Sequence, residues 1–204
     1  MRGFRIGLCG GHGTGKTTFA YELAAFLKKA GFNTGLSSNV SRSSRSGYLR
    51  GSFLNQNEIL SSLMVNEQML LEKHNVVICD RTVFDVQAYS DFYEGTEWTY
   101  DTMLRYIEEH GNYDFIVWFN KPFDAQDKDR NDMSSSQVIS DASLAIVEFC
   151  LTNSLTKTEL FVKDEWNNLA LMLEIRSRID VLTNEHEEQV EKLLKGIKEF
   201  KESK

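Results

Sequence analysis

The sequence predicts an α/β protein built on a five-stranded parallel sheet with helices on both faces. Three observations carry that expectation. Short apolar segments alternate with segments of helical periodicity along the chain. Strand-like segments such as Val76-Val77-Ile78-Cys79 and Phe115-Ile116-Val117-Trp118 are apolar throughout, without the in-out alternation of a sheet that has one wet face. A length of 204 residues, with 41% hydrophobic and 26% charged, fits one globular domain with at most a small appendage.

The elements follow in order. Residues 4–9 form an apolar run closed by glycines, which reads as a buried strand entering a tight loop. Residues 16–30 space Phe19, Leu23, Phe26 and Leu27 at steps of three and four, and Gly31 ends that helix. A short, weakly marked strand is expected over 33–38. Residues 37–52 are rich in Ser and Arg with Gly47 and Gly51, the composition of a loop that orders against a ligand. A helix over 58–73 with Ile59, Leu63 and Leu70 on one face leads into an apolar strand at 75–79. Helices at 83–93 and 100–110 precede a strand at 114–119. The single proline, Pro122, then opens an Asp-rich polar stretch through residue 136. A helix at 138–153, a strand at 160–162, a helix at 165–179 and an amphipathic helix over 184–200, with Val190, Leu193, Leu194 and Ile197 on one face, complete the chain. The expected organisation is a main domain over 1–182 and a C-terminal helix over 183–204 packed on it.

The net charge of −7 argues against a general affinity for nucleic acid or anionic membrane, but the charge is polarised. Residues 1–57 carry eight Lys/Arg and one acid, Glu22, for +7; the remainder carries 15 against 29, for −14. That basic end either meets something anionic or complements the acidic remainder. Three cysteines, Cys9, Cys79 and Cys150, are an odd number without close pairing, which reads as core thiols in a reducing compartment. With no long apolar run at the N-terminus or elsewhere, a cytoplasmic location without a membrane contact is expected.

Gly10-Gly11-His12-Gly13-Thr14-Gly15-Lys16-Thr17 fits G-x-x-x-x-G-K-[ST], the P-loop, between an expected strand and an expected helix. The fold expectation thereby sharpens to the three-layer P-loop NTPase fold. Glycines let successive backbone N–H groups converge on phosphate oxygens, and the helix N-terminus adds a favourable dipole. Gly11, His12, Gly13, Thr14, Gly15, Lys16, Thr17 and Thr18 are the expected ATP-binding residues. Lys16 is to reach the β- and γ-phosphates and Thr17 to ligate Mg2+. His12 reads as a variable position whose backbone matters more than its ring.

A guanine-reading GTPase is disfavoured: Asn120-Lys121-Pro122-Phe123-Asp124 has its acid one place too late for N-K-x-D, and Asp80-Arg81-Thr82-Val83 lacks the glycine of D-x-x-G. Size argues against transporter and mechanical ATPases. What remains is a small phosphotransferase. Asp80 and Arg81 follow an apolar strand, at the edge where open parallel sheets bind ligands. Asp80 either binds Mg2+ through water or accepts the proton of the attacking hydroxyl, and Arg81 holds substrate or the transferring phosphoryl group. The alternative is a structural pair capping the next helix. The segment from Leu23 to Asn57 has no acid but contains Arg42, Arg45 and Arg50, expected on the side of an anionic acceptor.

Gly10 to Thr17, Val40-Ser41-Arg42, Gln56-Asn57, Asp80-Arg81-Thr82 with Asp85 and Tyr89, and Asp127 to Arg130 occur in an order that resembles the P-loop kinases similar to the ribosylnicotinamide kinase domain. These lie near the deoxynucleoside and thymidylate kinases and are common in phage and prokaryotic genomes. The resemblance covers about residues 4–165. It implies Arg42, Asn57, Asp85 and Tyr89 on the substrate side, Asp80 as the acid beside Mg2+, Arg81 as a phosphate or substrate ligand, and Arg130 as a lid arginine over ATP. The sequence lacks the glycine usual before that arginine, so Lys128 and Arg130 compete for the role. The polar stretch over 121–137 is long for an unstructured connection, as a lid would be.

The expectation is therefore an ATP- and Mg2+-dependent kinase with catalytic Lys16, Asp80, Arg81 and Arg130, acting as monomer or homodimer on a nucleoside, nucleotide or related small molecule. Two alternatives stand. One is a kinase of a hydroxyl in nucleic acid, such as a modified base or a polynucleotide end, with Tyr48 beside Arg45 and Arg50 as its contact surface. The other is a nucleotide-binding regulatory NTPase.

Overall fold

In this computed structural model, the structure describes residues 3–38, 44, 52–93, 97–121, 134–153, 158–165 and 167–202. Arg42, Arg45, Tyr48, Arg50, Pro122, Lys128 and Arg130 lie outside the described residues. The chain divides into two compact units, Met1–Asn167 and Asn168–Lys204.

The first unit contains β1 (Phe4–Cys9), α1 (Lys16–Lys29), β2 (Thr34–Ser37), α2 (Phe53–Leu71), β3 (Val76–Cys79), α3 (Val83–Tyr93), α4 (Glu97–His110), β4 (Phe115–Trp118), α5 (Ser134–Thr152) and β5 (Glu159–Val162). The five strands form one parallel sheet in the order β2-β3-β1-β4-β5, with helices on both faces. The three central strands are buried almost throughout; of the two edge strands β2 is mostly buried and β5 is the more open. Strand β1 is paired with β3 through Gly7↔Cys79 and with β4 through Cys9↔Trp118. From β1 the chain crosses toward β2 on one side, and from β4 it proceeds to β5 on the other. Beyond the carboxyl ends of β1 and β4 the connections part, and that divergence opens a crevice.

Beneath β1 an ion pair is sealed inside. Arg5 Nη1 lies 3.2 Å from Glu67 Oε2 on α2 and donates to Tyr106 Oη at 2.7 Å. Its Nη2 donates to the carbonyls of His110, Gly111 and Asn112. Tyr113 Oη donates to Glu67 Oε1 at 2.8 Å and accepts from the backbone N–H of Val83 at 3.1 Å. Burial pushes the Glu67 carboxyl up despite its arginine and phenol partners. One of the cationic residues at the basic N-terminal end is therefore consumed inside the protein.

Several boundaries differ from the sequence expectation. Helix α2 starts at Phe53, not at residue 58, because Ser52 caps it with its hydroxyl accepting from Asn55 N at 3.3 Å. Helix α4 begins at Glu97 instead of residue 100. Helix α5 begins at Ser134, so the last four residues of the stretch expected to be an unstructured lid are its first turn. Those residues, Ser-Ser-Ser-Gln, show no apolar period because the turn is tied down by hydrogen bonds. In the second unit the two helices expected over 165–179 and 184–200 are one, α6 (Asn168–Glu202). No Gly or Pro falls between the two expected helices, over residues 180–183, and Thr183 Oγ1 donates to Ile179 O at 2.8 Å along the helix, so the periodicity falters without breaking the backbone. All three cysteines are buried and unpaired. Among the described residues no helix is long and apolar enough to cross a membrane.

Candidate active site

The loop Gly10–Lys16 joins β1 to α1 at the carboxyl edge of the sheet. Gly13 and Gly15 have φ of +74° and +89°, a region that side chains with a Cβ avoid, so the loop folds only with glycine there. Helix α1 has Gly15 at its N-cap, no side-chain cap bond and no acid in its first turn, which leaves its first N–H groups to an external acceptor.

Gly10, with φ of +133°, shares that need, and both it and Gly11 are also packed too closely for a side chain. A Cβ on Gly10 would stand 2.5 Å from Phe119 O, and one on Gly11 would overlap the carbonyl of Ser136. The first turns of α5 press directly on the loop: Ser136 Oγ donates to His12 O at 2.5 Å, and Ser140 Oγ to Phe119 O at 2.6 Å. Sequence reading missed this serine backing; the only signal was the run Ser134-Ser135-Ser136 inside a stretch assigned to a loop.

Lys16 is buried. Its Nζ donates to Gly10 O at 2.7 Å, Gly11 O at 2.5 Å and Thr14 Oγ1 at 3.2 Å. Burial lowers its pKa to about 8; Asp85 and Asp80 act against that shift and Arg81 adds to it. The two expected motifs thus share one electrostatic site, in which the lysine is held by neutral dipoles and lacks an ion partner within bonding distance among the described residues.

Strand β3 delivers Asp80 and Arg81 beside the loop, both half-buried, with Asp80 N donating to Ser37 O at 2.8 Å. Arg81 has φ of +133°, the only positive value among the described non-glycine residues. Its guanidinium lies 4.6 Å from the centre of the Tyr89 ring, in cation–π contact. Tyr89 is backed by the stacked ring of Tyr93, and its Oη lies 3.0 Å from His12 Nδ1. The ring of His12 therefore has a built partner, where the sequence suggested that its backbone mattered more.

Two substrate-side expectations change. Asp85 is fully buried, and its carboxylate accepts from Gly10 N at 2.7 Å, Thr82 N at 2.7 Å and Thr82 Oγ1 at 3.0 Å. Its oxygens serve the phosphate-binding loop and Thr82. Tyr89 is 93% enclosed, so its ring serves as the platform for Arg81. Asn57 lies on the first turns of α2, and its Oδ1, like Gln56 Oε1 and Gln87 Oε1 on α3, is buried without a hydrogen-bond partner among the described residues. Gln87 was not singled out by the sequence. Each unmatched acceptor costs about 1–3 kcal/mol unless something donates to it.

The residues present fit a Mg-nucleotide. Thr17 is half-buried at the start of α1 and Asp80 ends β3, offering two oxygen donors of the kind Mg2+ uses while keeping most of its waters and phosphate ligands. Among the described residues there is no cluster of three or more His, Cys, Asp or Glu able to cage a metal.

The chain belongs to the AAA domain family, whose description covers residues 5–145 of this sequence. Its fold is that of the P-loop NTPases. Among solved structures it is similar to NadR protein in complex with NAD and AMP-PNP, with a TM-score of 0.64 over 86% of this chain and 49% of that one at 13% identity. It is also similar to NadR in complex with NR, at 0.61 over 79% and 46% with 14% identity. The thymidylate kinase of Candida albicans superposes at 0.59 over 90% and 93% with 16% identity. The chain thus spans about half the length of the NadR chains and nearly the whole of the thymidylate kinase. At these identities the likeness establishes the fold. No curated protein matches the sequence.

Proposed function

We propose that the chain is an ATP-dependent kinase that transfers the γ-phosphate to a nucleoside, a nucleotide or a related small molecule. The observation that carries this reading is the buried Lys16, held by neutral dipoles and within the electrostatic reach of Asp80, Arg81 and Asp85, at the uncapped start of α1. A lysine so desolvated gains most from triphosphate oxygens, and the uncapped start of α1 points to the same ligand.

The roles follow from position. The amides of Gly11 to Thr18 cradle the phosphates, and Lys16 bridges the β- and γ-groups. Thr17 and Asp80 hold Mg2+, which when bound draws charge from the phosphate oxygens. An oxygen of the acceptor attacks the γ-phosphorus and the bond to the bridging oxygen breaks. ADP leaves; where the attacking oxygen is a hydroxyl, its proton passes to the Asp80 carboxylate, which then meets Mg2+ only through water, and on to solvent, whereas a phosphate oxygen brings no proton to remove. Arg81, held against Tyr89, neutralises the transferring group. Arg42, Arg45 and Arg50 serve an anionic acceptor, while Lys128 and Arg130 close over the nucleotide. The unmatched oxygens of Gln56, Asn57 and Gln87 favour an acceptor that carries N–H donors, as a nucleobase or a carboxamide does.

Incubation with γ-labelled ATP and a panel of nucleosides, nucleotides, ribosylnicotinamide and DNA tests the reading, with Lys16→Ala as the blank. Label on a small molecule supports it, and label on DNA alone moves the acceptor to a polymer. ATP consumed at one rate with or without every acceptor leaves an NTPase.

A further inference from the structure

The geometry points to Asp85 as a positioning residue: its carboxylate clamps the phosphate-binding loop to the Asp80-Arg81-Thr82 turn and so sets where the Arg81 guanidinium stands over the transferring group. This inference rests on the kinase reading of the site.

The parallel ladder between β1 and β3 ends at Gly7↔Cys79. Past that pair β1 runs on to Cys9 against β4 alone while β3 gives way to the Asp80-Arg81-Thr82 turn, and no ladder bond between the two fixes their separation. The Asp85 carboxylate bridges the gap. Oδ1 takes the N–H of Gly10 at 2.7 Å, while Oδ2 takes the N–H and the hydroxyl of Thr82 at 2.7 and 3.0 Å. Three donors on a carboxylate with no exposed surface make a charge-assisted set that is strong and directional. An Asn could satisfy only one side, since its amide nitrogen would confront an N–H on the other.

Arg81 is the residue that needs such a clamp. A positive φ at a non-glycine is strained and persists where neighbouring bonds over-determine the backbone. Asp80 N is tied to Ser37 O, Thr82 N to Asp85 and Val83 N to Tyr113 Oη, so peptide groups on both sides of Arg81 are pinned. A second tether comes from the next turn of the same helix. Asp85 and Tyr89 stand four residues apart on one face of α3, the first reaching Gly10 and the second reaching both His12 and Arg81. Helix α3 therefore holds loop and arginine together at two points.

Asp85→Asn tests the clamp. ATP affinity measured by calorimetry is expected to fall by a smaller factor than turnover does, because Lys16 and the loop amides remain although both lose the hold and the charge of the carboxylate. Turnover on the acceptor that the wild type uses is expected to fall about 100-fold, the scale of a misplaced catalytic group. In the double variant with Arg81→Ala, turnover is expected to fall no further than in Arg81→Ala alone, because Asp85 acts through that arginine. Hydrogen exchange at the Gly10 and Thr82 amides should quicken together. Multiplying effects of the two substitutions, or unchanged exchange at Thr82, would overturn the clamp. If Asp85→Asn does not fold, Thr82→Val removes only the hydroxyl contacts, and the same cycle and exchange measurement apply with a smaller loss. A wild type that shows protected Gly10 and Thr82 amides but phosphorylates nothing sinks the kinase reading and leaves the clamp supported. Phosphorylation by Asp85→Asn at the wild-type rate sinks the clamp and leaves the kinase.

Discussion

Lys16 is legible in the sequence as a motif residue, yet its protonation is not. An exposed lysine titrates near 10.5, whereas burial against carbonyl dipoles brings this one to about 8. Between those values the unfolded chain keeps a proton that the folded chain releases, so this group makes stability rise with pH across that window and withholds it below about 8. Lys16→Met should flatten that slope in denaturant titrations at a series of pH values. Triphosphate binding supplies the missing counter-charge and restores the proton. Calorimetry of ATP binding near pH 8 in buffers of different ionisation enthalpy should therefore detect proton uptake that Lys16→Met lacks. A wild type that takes up no proton would contradict the burial argument. Arg5 makes the opposite lesson. It counts toward the basic end of the sequence, but it sits beside Glu67 in the interior, so Glu67→Gln should cost about 3–5 kcal/mol in unfolding free energy, the scale of a broken buried pair.

At the scale of elements, periodicity located the buried strands and the middles of helices, where apolar side chains meet a core. It failed at helix starts that are made by polar groups. Ser52 begins α2 by capping, and Ser136 anchors α5 by bonding to the loop backbone; neither interaction has an apolar period. The close packing of that turn gives a direct test. Gly11→Ala would drive a Cβ into the Ser136 carbonyl, so the loop or the helix must shift. ATP affinity should fall at least about tenfold, with a lowered melting temperature in the absence of nucleotide. An unchanged affinity would mean that α5 yields without disturbing the loop. Ser136→Ala, which keeps the space and removes the bond to His12 O, should cost less, about 1 kcal/mol of stability.

At the scale of the molecule, the parallel order β2-β3-β1-β4-β5 places β1 centrally and sets β3 and β4 on either side of it. That arrangement lets Tyr113, just before β4, reach from Glu67 beneath the sheet to the N–H of Val83 beyond β3. Tyr113→Phe should therefore lower the denaturation midpoint and also loosen the Asp80-Arg81-Thr82 turn, visible as faster amide exchange at Val83; a midpoint change without that exchange would confine the residue to the core. The α/β class, the phosphate loop and the pairing of Asp80 with Arg81 at a strand end were determined by the sequence alone, because periodicity, glycine and local order are properties of neighbours along the chain. Only the tertiary structure decided that Asp85 and Tyr89 turn inward to hold the loop, that Lys16 loses its water, and that Gln87 joins Gln56 among buried unmatched acceptors. The first of those outcomes depends on groups 75 and 77 positions apart being brought within bonding distance, and the others on burial by distant segments; a linear pattern carries no signal for a separation that only the fold removes.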